Sequence, residues 1–183
     1  MRGDALAILL VAAAACGSRA PRTAPRSDCG YPQSRTTSCT IVLSGALRET
    51  LTCSVEPVYD AFRRQSVVQI GVDSSESSRL GGRVSIAVRF PGEPRVGTYR
   101  NTDPGASSAM YAYSSNYLEE WSETVGPPDV PQGSHTLTIT KIGTPYCDSG
   151  GKAYPGLRGH LAATLFASTT STASGAVSVR ATF

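Results

Sequence analysis

From Cys39 to the end of the chain, apolar side chains recur at every second position in short runs. That period belongs to a β-strand with one face buried, and no amphipathic helix can use it. Residues 39–44 place Cys39, Ile41 and Leu43 on one face, and residues 51–55 place Leu51, Cys53 and Val55 on one face. Residues 82–90 alternate Val84, Ile86, Val88 and Phe90 against Arg83, Ser85, Ala87 and Arg89. Further strands are expected over 66–72, 109–113, 135–142, 159–168 and 175–183. Gly, Pro, Asp and Ser fill the segments between them, at 73–82, 91–107, 126–134 and 143–157. The stretch Ser44-Gly45-Ala46-Leu47-Arg48 reads as a hairpin turn, and residues 169–174 as another. A short helix is expected around Asn116–Trp121.

About eight short strands without βαβ alternation imply an all-β fold, an antiparallel β-sandwich or small barrel, with the sandwich preferred. The chain divides into residues 1–15, a signal peptide, residues 16–38, a lipid-attachment cysteine and tether, and residues 39–183, the β-sandwich domain. The final run, Val177, Val179, Ala181 and Phe183, resembles the last strand of outer-membrane β-barrels. Such barrels need strands of ~9–11 residues and aromatic girdles. Most strands here are shorter and aromatics are only 7% of the chain, so Phe183 is expected in a sandwich core.

Residues 17–38 have no hydrophobic periodicity, and Pro21, Pro25 and Pro32 keep them extended. As a flexible coil these 22 residues would span roughly 25 Å. They hold Arg19, Arg22, Arg26 and Arg35 against Asp28. Setting these aside with Arg2 and Asp4, the 17 basic and 14 acidic residues of the chain fall to 12 and 12 in residues 39–183. The globular part has no basic excess, so nucleic acid is not an expected partner. The basic tail either lies against anionic headgroups or is a solvated linker; the dominance of Arg throughout the chain favours the linker.

The N-terminus carries Arg2 and then the apolar run Ala5–Ala15, which ends on Cys16 followed by Gly17 and Ser18. This run is too short for the ~20 apolar residues of a membrane-spanning helix and has the form of a secretory signal. Three Ala before a Cys resembles the lipobox of bacterial lipoproteins; an ordinary signal peptide that contains a Cys is the other reading. The resemblance covers residues 1–18 only. It implies cleavage before Cys16, acylation of Cys16 with palmitate-type chains, and attachment to a membrane through that lipid. Gly17 in place of Asp implies, by the same resemblance and in a Gram-negative host, sorting to the outer membrane.

With Cys16 lipidated, Cys29, Cys39, Cys53 and Cys147 remain, an even number that suggests disulfides in an exported protein. In a hairpin centred on Ala46, Cys39 and Cys53 lie opposite each other on the apolar face, which favours Cys39–Cys53 with Cys29–Cys147 among three connectivities. No Cys-x-x-Cys occurs and the two histidines stand apart, so no metal site is expected.

Catalytic motifs are missing. His135 and His160 are the only histidines, each read as a strand-edge polar group, and no Gly-x-Ser-x-Gly elbow occurs. Glu119 and Glu123 would share a face of the expected helix, the geometry of an acid–base pair, but an exposed charged turn is the commoner meaning. No catalytic residue and no cofactor is expected. The densest constellation is aromatic: Tyr99, Tyr111, Tyr113, Tyr117 and Trp121. Tyr111, Tyr113, Tyr117 and Trp121 are the candidate ligand-binding residues, for a glycan or a protein partner. Trp121 is expected in the core and at least one of the three tyrosines exposed. The reading favoured is a lipid-anchored binding or surface-interaction module; a cell-envelope hydrolase with a site converging from separated loops is the alternative.

Overall fold

The computed structural model describes residues 29–31, 39–72, 83–113, 118–123, 132–147 and 153–183. Ten strands run in chain order: β1 (Cys39–Gly45), β2 (Glu49–Asp60), β3 (Gln65–Val72), β4 (Arg83–Pro91), β5 (Gly97–Arg100), β6 (Ser107–Tyr113), β7 (Leu118–Ser122), β8 (Ser134–Cys147), β9 (Ala153–Ala167) and β10 (Ala176–Thr182). The fold is all-β, one antiparallel sheet in the order β10-β1-β2-β3-β4-β6-β7-β9-β8-β5. β10 also pairs with β9, so the sheet curls round and meets itself. The layers of the expected sandwich are therefore parts of one continuous sheet, with the apolar face turned inward.

Alternation makes that interior. Ile41 and Leu43 of β1, Val68 and Ile70 of β3, Ile86, Val88 and Phe90 of β4, Leu137 and Ile139 of β8, and Val177 and Val179 of β10 are all buried. Outward positions of the strands carry Thr40, Thr50, Thr52, Arg89, Arg158, Ser178 and Arg180, all exposed, with Val42 and Ala162 exposed among them. Phe183 is 6% exposed and closes the core, its amide donating to Gly159 and its carbonyl accepting from Gly159.

The register of the first hairpin is the expected one. Cys39 pairs with Cys53 and Ile41 with Leu51. The bridge Cys39–Cys53 follows with the Cα atoms 4.8 Å apart. Cys29–Cys147 is the second bridge, at a Cα separation of 6.2 Å.

Three expectations need correction. The helix around Asn116–Trp121 is replaced over its described part by β7. Leu and Glu favour helix only by tenths of a kcal/mol, and the ladder to β6 on one side and β9 on the other outweighs that. The loop expected over 91–107 contains β5, a four-residue strand on the edge of β8. The loop expected over 143–157 is largely strand, because β8 and β9 continue as a long hairpin. Pro145 and Pro155 fall in the register break between Gly143/Gly156 and Tyr146/Tyr154, where neither has to supply a ladder hydrogen bond. Tyr146 stacks on Tyr154 and its hydroxyl donates to the Val55 carbonyl at 2.8 Å, which fastens the hairpin to β2.

Candidate functional site

β7 and β8 lie one after the other along the same edge of β9. Trp121 and Ser122 pair with Ala167 and Phe166, and Ser134 pairs with Thr164. The chain thus leaves this edge after Glu123 and is back on it at Gly133, whose amide donates to the Glu123 carbonyl at 2.8 Å. Only glycine fits at 133, since an added Cβ would stand 2.6 Å from the Glu123 Cα. On the other side, the Glu123 amide donates to the Ser108 carbonyl of β6.

This close packing brings three side chains together inside the protein. The Ser108 hydroxyl donates to Glu123 Oε2 at 2.9 Å, and His135 Nδ1 lies 2.6 Å from the same oxygen. Ser108, Glu123 and His135 are all buried, His135 at 1% exposure. His135 shares the inward parity of Leu137 and Ile139 and is thus not the strand-edge group expected. His160 is exposed on the outer face of β9.

A serine, a histidine and a carboxylate in contact invite comparison with a nucleophilic triad, but the order of contacts is different. In a triad the imidazole takes the proton of the nucleophile while the carboxylate holds the far ring nitrogen. Here the serine hydroxyl is spent on the carboxylate. His135 Nε2, the nitrogen left to act as base, is buried, and among the described residues nothing hydrogen-bonds to it. What the arrangement does is to pin β6, the end of β7 and the start of β8 to one buried carboxylate. Asn101 completes the junction, its amide donating to the His135 carbonyl and its side chain to the Gly133 carbonyl.

The helix face that Glu119 and Glu123 would have shared does not form, and Glu123 is buried where an exposed charged turn was expected. On a strand, four residues apart means the same face but ~13 Å of separation. Glu123 is buried against His135, whereas Glu119 stands toward the start of β7.

The aromatic candidates part company in the same way. Trp121 is 2% exposed and packs inward, opposite Met110. Tyr111 is on the opposite face of the ladder, partly exposed and paired across to Glu120. Tyr113 pairs with Leu118 at the end of β6; its side chain, and all of Tyr117, lie outside the described residues. Trp121 and Tyr111 therefore do not line a common groove. Tyr99 packs on Phe90 with ring centroids 4.0 Å apart. Among the described residues no group of His, Cys, Asp and Glu could hold a metal ion.

The buried cluster escaped the sequence reading because its members are 12 and 15 residues apart on three elements. One signal was present: His135 continues the inward alternation of Leu137 and Ile139. Compared with protein-family models, with curated proteins and with solved structures, the chain matches none.

Proposed function

We propose that this chain is an exported, lipid-anchored binding module of the bacterial cell envelope, acting by contact with a glycan or protein partner and without chemistry of its own. The observation that carries the proposal is the use of cysteine. The four cysteines beyond the lipobox are joined in two bridges, Cys29–Cys147 and Cys39–Cys53. Cys16 is the one left over, and it is the residue at which the lipobox resemblance implies acylation. Bridges of this kind persist in oxidising compartments. The triad-like residues are committed to a buried structural junction, which weighs against the hydrolase alternative.

Replacing Cys16 by Ser and fractionating the cells tests the anchor. The parent should label with palmitate and sediment with the outer membrane of a Gram-negative host; the Cys16→Ser chain should lose the label and be released by a high-salt wash that leaves the parent in place. A Cys16→Ser chain that resists the high-salt wash as the parent does overturns the anchor.

A further inference from the structure

We infer that the end of the domain carrying the β2–β3 turn is a membrane-docking surface for an anionic lipid headgroup layer. The inference rests on the proposed lipid anchor and adds a second contact, made by the folded domain itself.

The turn of residues 61–64 presents Phe62, which is 97% exposed. A large apolar side chain held almost wholly in water is unusual for a stable turn, and this one is rigidly held. Asp60 Oδ1 accepts from the amides of Phe62 and Arg63 at 3.0 and 3.1 Å. The Arg64 carbonyl accepts from the Gly92 amide at 2.8 Å, and the Ser66 hydroxyl donates to the Gly92 carbonyl at 2.6 Å. These bonds tie the turn to the neighbouring β4–β5 loop, whose Val96 is 64% exposed. Tyr99 in turn braces that loop, its hydroxyl donating to the Arg95 carbonyl and accepting from the Arg95 amide. Arg64 has φ of 50°, a left-handed conformation that glycine adopts without cost. A basic side chain is kept where the backbone would prefer none.

The charges at this end fit an anionic surface. Arg63, Arg64, Arg89, Arg95, Lys141 and Arg158 are exposed there, against Glu56, Asp60, Glu93 and Asp103 of the loop that Gln65 holds through the Gly105 carbonyl. The opposite end carries Glu49, Glu119 and Glu120 against Arg48, and Arg83 enters β4 there. Among the described residues the basic excess thus lies at the end that carries the turn. Tyr31, Tyr59, Phe62, Val96 and Ile142, five of the seven exposed large apolar side chains among the described residues, are also at the basic end. The tail joins the fold at this end too, through Cys29–Cys147 at the tip of the long hairpin. Between Cys16 and Cys29 the chain can reach at most about 45 Å, so a lipid on Cys16 keeps this end near its bilayer. Basic residues draw a protein to anionic headgroups, and Phe enters the interfacial layer.

Vesicle co-sedimentation tests it, with phosphatidylglycerol-containing and pure phosphatidylcholine vesicles. The Cys16→Ser full chain is the reference, compared with the same chain carrying Phe62→Ser, Arg63→Glu and Arg64→Glu. The reference should partition to anionic vesicles, release at high salt, and lose about tenfold or more of that partitioning in the variant. The signal segment is common to both chains and cancels in the comparison. Thermal melts of the two should coincide, since the changed side chains are exposed. Equal partitioning of the two chains, or equal partitioning to neutral and anionic vesicles, overturns the docking surface. So does loss of protein-partner binding in the variant with vesicle partitioning unchanged. Palmitate labelling of the parent reports the lipid anchor independently, so failure of the one is distinguishable from failure of the other.

Discussion

At the residue scale, the buried carboxylate of Glu123 has the largest local consequence. It is held by Ser108 and His135, and both partners are sealed from water. Removing His135 leaves the buried Glu123 carboxyl with the Ser108 hydroxyl but without its closest partner, and breaking a buried pair typically costs about 3–5 kcal/mol. His135→Ala should destabilise the domain on that scale in urea unfolding. Replacing both members with apolar residues, Glu123→Met with His135→Leu, should cost less than His135→Ala alone, because no buried carboxyl is left without its imidazole partner. Trp121 makes a simpler case. It fills the core opposite Met110, so Trp121→Ala should cost about 3–5 kcal/mol and lower the melting temperature markedly. The scarcity of aromatic residues in the chain was enough to expect Trp121 inside. It was not enough to place Glu123, because a carboxylate inside a fold is stabilised only by partners that the linear sequence keeps apart.

At the element scale, strand length and register were legible wherever apolar residues alternate without interruption, as in β1, β4 and β10. The 39/53 pairing came directly from counting outward from the turn. Legibility failed where local preference and tertiary pairing disagree. β7 is five residues long with two adjacent glutamates, and what makes it a strand is the ladder on either side. β8 and β9 contain prolines and glycines that read as loop, yet the register break admits them. The junction between β7 and β8 gives a test at this scale. Gly133 stands so close to Glu123 and Thr164 that Gly133→Ala must push the two segments apart. We expect a loss of about 1–3 kcal/mol, measured by chemical denaturation, with the hydrogen exchange of the Gly133 and Ser134 amides accelerated relative to β3.

At the scale of the whole molecule, the sheet closes on itself and two covalent bridges span very different lengths of chain. Cys29–Cys147 encloses a sequence separation of 118 residues and Cys39–Cys53 one of 14. In the chain-entropy account the first contributes about 4–5 kcal/mol and the second about 3 kcal/mol. Cys29→Ser with Cys147→Ser should therefore lower the denaturation midpoint more than Cys39→Ser with Cys53→Ser, a ranking that calorimetry under oxidising conditions can check. The longer bridge also decides how mechanical load travels. A pull on the N-terminal tail does not reach the fold through the first residue of β1. It passes across two sulfur atoms to the far end of β8, and the chain between them is shielded from tension. Under reducing conditions the same pull would arrive at Cys39 and peel β1 from the closed sheet, so this protein's resistance to force is set by the redox state of its surroundings.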